Sequence, residues 1–93
     1  MKIKIKVTNE QEDGSEITYE VIADGRDVRK YEEHFETSWI ATELSMTQVS
    51  QLAWVASRRQ GLYEGDWASF DKINTDTTSS RYEAGEVESE NPT

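Results

Sequence analysis

The sequence predicts an α+β fold from two features. Residues 2–8 and residues 15–22 alternate between apolar and polar side chains, as half-buried strands do. Residues 26–37 and the segment from Ser45 to Gly61 instead repeat apolar side chains at helical spacing, with capping residues at their ends. Because a two-stranded hairpin is marginal in water by itself, we expect an antiparallel hairpin packed on two to three short helices.

The hairpin turn falls at Asp13-Gly14, a dipeptide typical of tight turns. A two-residue turn would place Val7 opposite Glu20 and mix apolar with charged side chains on one face. A three-residue loop, with Gly14 in the left-handed conformation, keeps both faces consistent, so we favour it. The pairs that it predicts are Val7–Tyr19, Ile5–Val21 and Lys6–Glu20.

The helices are predicted from caps and apolar stripes. Asp24 is a suitable N-cap for the first helix, at about residues 26–37. Ser45 and Gln48 form a capping-box pattern at the start of the second helix, and Gly61 follows it as a C-cap. A short third helix is expected after Asp66. The predicted apolar stripes are Val28, Tyr31 and Phe35; Met46, Val49, Leu52, Ala53 and Ala56; and Trp67, Phe70 and Ile73.

The domain boundary is predicted where apolar residues become scarce. From residue 74 onward only three apolar side chains occur, and the segment carries five acidic residues against one basic residue. Such a segment buries too little apolar surface to offset the entropy of ordering. We therefore expect one α+β domain over residues 1–73 and a disordered acidic tail over residues 74–93.

Composition and charge limit the classes of function that this chain can have. The chain has 93 residues, no cysteine and a formal net charge of -9, which disfavours binding to nucleic acid or to anionic membranes and favours a basic protein partner. No stretch is apolar enough for a membrane helix, and the alternating N-terminus is not a signal peptide. His34 has no partner spaced for a catalytic dyad, and the acidic clusters lack the spacing of a calcium loop. We expect no enzymatic activity, no metal and no cofactor.

Trp54 lies off the apolar stripe of the second helix, on the side of Arg58. Two interpretations stay open, and burial under a neighbouring segment is favoured over exposure as an anchor for a partner. We predict that Trp54→Ala weakens partner binding more than it weakens folding. The residues that we expect at a partner-binding groove are Trp54, Arg58, Leu62, Tyr63 and Trp67.

Several short motifs resemble one protein family. They are Ser38-Trp39-Ile40-Ala41, Leu44-Ser45-Met46-Thr47-Gln48, Leu52-Ala53-Trp54, Arg58-Arg59-Gln60-Gly61-Leu62 and Trp67-Ala68-Ser69-Phe70-Asp71. Together, over roughly residues 17–73, they resemble the small tail assembly chaperones of tailed bacteriophages. The N-terminal hairpin departs from the mainly helical members of that family.

The resemblance implies a protein that binds the long helical tape-measure protein and keeps it soluble during tail assembly. Members often have a longer form made by ribosomal frameshifting. The resemblance also implies a location in the host cytoplasm. The alternatives are a structural virion protein, such as a head–tail connector or a capsid decoration protein, and an acidic DNA mimic that inhibits a DNA-binding protein. An exposed hairpin edge would also allow self-association.

Overall fold

A three-stranded antiparallel sheet, covered on one face by helices, forms the fold of this chain. The computed structural model describes residues 1–81. Its elements are β1 (Lys2–Glu10), β2 (Glu16–Asp24), α1 (Gly25–Phe35), α2 (Met46–Arg59), α3 (Trp67–Ile73) and β3 (Asn74–Arg81). The strand order is β2-β1-β3, so β1 is central. The α+β prediction is confirmed, with one strand more than the sequence predicted.

The hairpin has the register that the sequence predicts. Val7 pairs with Tyr19, Ile5 with Val21, and Lys6 with Glu20. At the tip, the Gln11 amide donates to the Ser15 carbonyl at 2.7 Å, which leaves three residues in the loop. Gly14 has φ 89°, the left-handed region that this loop requires.

The boundary predicted at residue 73 is wrong, because β3 continues the domain to Arg81. This strand pairs with β1 from Ile3–Arg81 to Asn9–Asn74. Hydrophobic content does not reveal such a strand, because its stabilisation comes from the main-chain ladder and from polar contacts. Thr77 is buried and its Oγ1 lies 2.8 Å from Ser50 Oγ. The part of the predicted acidic tail at residues 82–93 lies outside the described residues.

The helix ends follow the predicted capping signals. Ser45 and Gln48 form the predicted reciprocal capping box of α2. Beyond its C-terminus, Gly61 has φ 75° and the Leu62 amide donates to the Ser57 carbonyl at 2.8 Å, a Schellman motif. Helix α3 begins after Asp66 as expected. The apolar stripe predicted for α2 is wrong only at its start, where Met46 is 66% exposed.

Helix α1 is shorter than predicted and ends one turn before Trp39. It begins with a capping box between Asp24 and Asp27, and it ends at Glu36, whose φ of 53° turns the chain away. The core lies between the helices and the inner face of the sheet. Its largest fully buried apolar side chains are Tyr31, Phe70, Ile5, Leu52, Val7 and Val21.

We predict that the domain loses stability in acid, because hydrogen bonds to aspartates lower their pKa. The Arg26 side chain lowers the pKa of Asp24, and the Ser69 amide lowers that of Asp66, from the ordinary value of 3.8. Stability from a carboxylate whose pKa falls on folding is fully present above the unfolded pKa and is lost as the pH drops through the folded pKa. Urea titrations should therefore show a falling free energy of unfolding below about pH 4.

The matched variants are Asp24→Asn and Asp66→Asn. Asparagine also serves as an N-cap, so these changes remove the charge but keep a cap. The double variant should lose less stability between pH 5 and pH 2 than the unaltered chain. An unchanged acid dependence would show that these two carboxylates do not cause it.

Candidate functional site

An aromatic cluster joins the three helices and contains Trp54. Its indole is 4% exposed, and Nε1–H donates to the Gly65 carbonyl at 3.0 Å. The rings of Phe35 and Trp67 lie 5.9 and 6.3 Å from it. Of the two interpretations of Trp54, the structure therefore shows burial: Trp54 joins the helices and offers almost no surface to a partner.

A groove lies between the hairpin and the connection from α2 to α3, and we call it the hairpin groove. Its volume is about 800 Å³. The apolar lining consists of Ile17, Tyr19, Leu62, Tyr63 and Ile73, and acidic side chains at the hairpin end are Glu10, Glu12 and Asp13. Ile17 and Leu62 are each 47% exposed, so the helices leave this end of the sheet uncovered.

Contacts with buried residues hold two aromatic side chains of the hairpin groove in place. The Tyr19 hydroxyl lies 2.8 Å from Ser57 Oγ, and burial raises the pKa of Tyr19, which keeps the phenol neutral. The Tyr63 ring packs edge-on against the buried Phe70, with centroids 5.2 Å apart. These contacts fix two aromatic side chains before any partner arrives, which lowers the entropy cost of binding.

A second depression, which we call the helix cleft, lies between α1 and α2. Its volume is about 430 Å³, and it is lined by Arg26, Asp27, Lys30, His34, Trp54, Val55, Arg58 and Arg59. Asp27 is 1% exposed and binds Arg59 in a two-pronged ion pair at 2.7 and 2.9 Å. These hydrogen bonds raise the pKa of Arg59.

The five residues expected at one partner-binding groove lie in three places. Leu62 and Tyr63 line the hairpin groove. Trp54 and Arg58 line the helix cleft, with the Arg58 guanidinium 5.3 Å from the Trp54 ring centroid. Trp67 is partly buried in the aromatic cluster, 6.0 Å from Phe70.

Sequence analysis missed the contribution of the hairpin to the groove. The alternation of β2 places Ile17 on the inner face, but only the tertiary structure shows that no helix reaches that far. The acidic residues of the hairpin tip lie beside exposed apolar side chains, so they form the charged edge of a groove.

Neither His34 nor the acidic clusters belong to a metal-binding group in the part of the chain that the structure describes. His34 is exposed, and its ring packs against Phe35 and Trp54 with centroids 4.7 and 5.0 Å apart. Within residues 1–81, no group of three or more potential ligands is placed to hold a metal ion. No helix in this range is long and apolar enough to cross a membrane. The absence of enzymatic activity stays a prediction.

Comparison with known proteins gives no match, whether to a family model, to a curated protein or to a solved structure.

Proposed function

We propose that this chain is a phage tail assembly chaperone that binds a helical segment of the tape-measure protein in the hairpin groove. The observation that carries the proposal is the exposed apolar lining of this groove beside three carboxylates. The resemblance of the short motifs between residues 17 and 73 to tail assembly chaperones gives the class of partner.

The chemistry of the groove suits an amphipathic helix. Apolar side chains one turn apart on such a helix can contact Ile17 and Leu62, whose exposed halves are then removed from water. Lysine or arginine residues beside that apolar stripe would lie near Glu10, Glu12 and Asp13. These charges speed encounter and fix orientation more than they add affinity, so the apolar contacts supply most of the binding.

A chaperone also has to keep the complex in solution. The net charge of -9 repels other copies of the complex, and the outer face of the sheet presents Lys2 and Lys6 with Glu20. A partner whose apolar stripe is covered by such a domain cannot associate through that stripe. This role requires a surface and no reactive group.

The alternatives predict different observations. A structural virion protein should be present in purified particles in fixed stoichiometry, whereas an assembly chaperone should be absent from them. A DNA mimic should lose its partner at high salt. The cations that line the helix cleft interrupt the acidic surface and argue against mimicry.

The test is to search the neighbouring genes for a long helical reading frame and to co-express its product with this chain. We expect that product to be soluble only when this chain is present. Leu62→Asp should weaken the complex about tenfold or more, because a charge would be buried against the apolar stripe of the partner. Pull-down yield and titration calorimetry measure the loss.

The matched control is Ile40→Asp, since Ile40 is 49% exposed and lies away from the groove. It should bind like the unaltered chain, and both variants should keep their melting temperatures. An equal loss of affinity in the two variants, or a partner that stays insoluble in every case, would refute the proposed function.

A further inference from the structure

The helix cleft concentrates positive charge in an acidic protein. Four of its lining residues are cations, Arg26, Lys30, Arg58 and Arg59, and the only carboxylate among them is Asp27. The chain as a whole has a net charge of -9. Lysine and arginine residues that only kept the protein soluble would not need to gather on one surface between two helices.

Two of the four cations are already paired within the domain. Arg26 binds Asp24 at 2.7 Å, and Arg59 binds Asp27 at the same distance. Lys30 on α1 and Arg58 on α2 differ from them, since neither forms an ion pair within residues 1–81.

Lys30 and Arg58 are both exposed in the cleft, and Arg58 also has an electrostatic interaction with Asp66. The Arg58 guanidinium lies near the ring of Trp54, and such a contact leaves its N–H groups available to an acceptor. Trp54 and Val55 also border the cleft, but each is only 4% exposed, so they offer almost no apolar surface. A ligand that fits should therefore have neighbouring negative groups for Lys30 and Arg58.

We propose that the helix cleft binds a polypeptide segment with neighbouring glutamate or aspartate side chains. Carboxylates match the donor geometry of arginine. A nucleic acid would extend beyond the cleft into the field of an acidic protein, whereas a short acidic segment places its charge only where the cations are. The site is separate from the hairpin groove, so one domain can bind two segments of opposite character.

The test is a titration of the full chain with hexaglutamate, with hexaglutamine as the uncharged probe. We expect only hexaglutamate to bind, as measured by titration calorimetry. The Lys30→Gln and Arg58→Gln double variant should weaken binding about tenfold, since each lost ion pair has a modest effect. Both side chains are exposed, so the melting temperature should stay the same.

A control with the same change of charge is the Lys6→Gln and Lys72→Gln double variant, which alters exposed residues outside the cleft. An equal loss of affinity in both double variants would overturn the proposal, because it would reflect total charge alone. Inorganic phosphate that bound as tightly as the peptide would overturn it too, since it would indicate a general anion site.

The acidic residues of the chain itself are a competing source of carboxylates. In the full chain, Glu83, Glu86, Glu88 and Glu90 can be changed together to glutamine. We expect the affinity for hexaglutamate to stay the same. A large gain in affinity would overturn the assignment to a partner, because it would show that the chain's own glutamates occupy the cleft.

Discussion

Trp54→Ala is expected to lower the free energy of unfolding by about 3–5 kcal/mol, the range for truncating a buried aromatic side chain. The indole contacts α1, the residues that follow α2, and α3, so its loss opens a cavity where these segments meet. It also leaves the Gly65 carbonyl without its donor. Small domains have only about 5–15 kcal/mol of stability, so this variant should be largely destabilised. Urea unfolding followed by circular dichroism measures the change.

This expectation reverses the prediction from the sequence, which was that Trp54→Ala weakens partner binding more than it weakens folding. The matched variant is Trp54→Phe, which keeps most of the ring and removes the Nε1–H donor. Trp54→Phe should lower the free energy of unfolding clearly less than Trp54→Ala does. If Trp54→Ala folded with full stability and lost only its partner, the buried position of Trp54 would be contradicted.

Arg59→Met is expected to lower the free energy of unfolding by about 2–4 kcal/mol, because it leaves a buried carboxylate without its cation. Asp27 is 1% exposed, and after the change its carboxylate would keep only the backbone amide of Asp24 as a donor, at 3.0 Å. The Arg59 side chain is 31% exposed, so the loss should be smaller than for a fully buried pair.

The control is a double-mutant cycle with Asp27→Asn. The double variant should be more stable than the sum of the two single losses predicts, since removing both charges leaves no unpaired ion. Chemical denaturation of the four proteins gives the coupling energy. A coupling below about 0.5 kcal/mol would mean that this pair behaves like an exposed ion pair.

Much of the fold could be predicted because its signals are local. The register of the hairpin follows from matching two alternating faces around Gly14, and the limits of α2 follow from Ser45 and Gly61. Strand β3 could not be predicted in this way. Its serine and threonine residues pair with a strand more than sixty positions earlier, and such a non-local contact leaves no periodic apolar pattern.

The site could be predicted only in part. Leu62 and Tyr63 were expected from the aromatic segment after Gly61, and both line the hairpin groove. The other side of the groove depends on where the helices stop covering the sheet, which is a tertiary property. The ion pair between Asp27 and Arg59 is also a tertiary property. In the sequence, an aspartate in a first helical turn and an arginine in a last turn are each explained by the dipole of their own helix, so nothing indicates that they pair.

The measurement that bears most directly on the proposed function is a nuclear magnetic resonance titration of the ¹⁵N-labelled chain. The probe is a synthetic peptide of the longest amphipathic helix of the tape-measure protein proposed as the partner. We predict that the largest shifts occur at Ile17, Leu62 and Tyr63, and that Lys30 and Arg58 change little. A peptide that bound elsewhere, or that left the resonances of the hairpin groove unchanged at saturating concentration, would contradict the assignment of this groove to a helical partner.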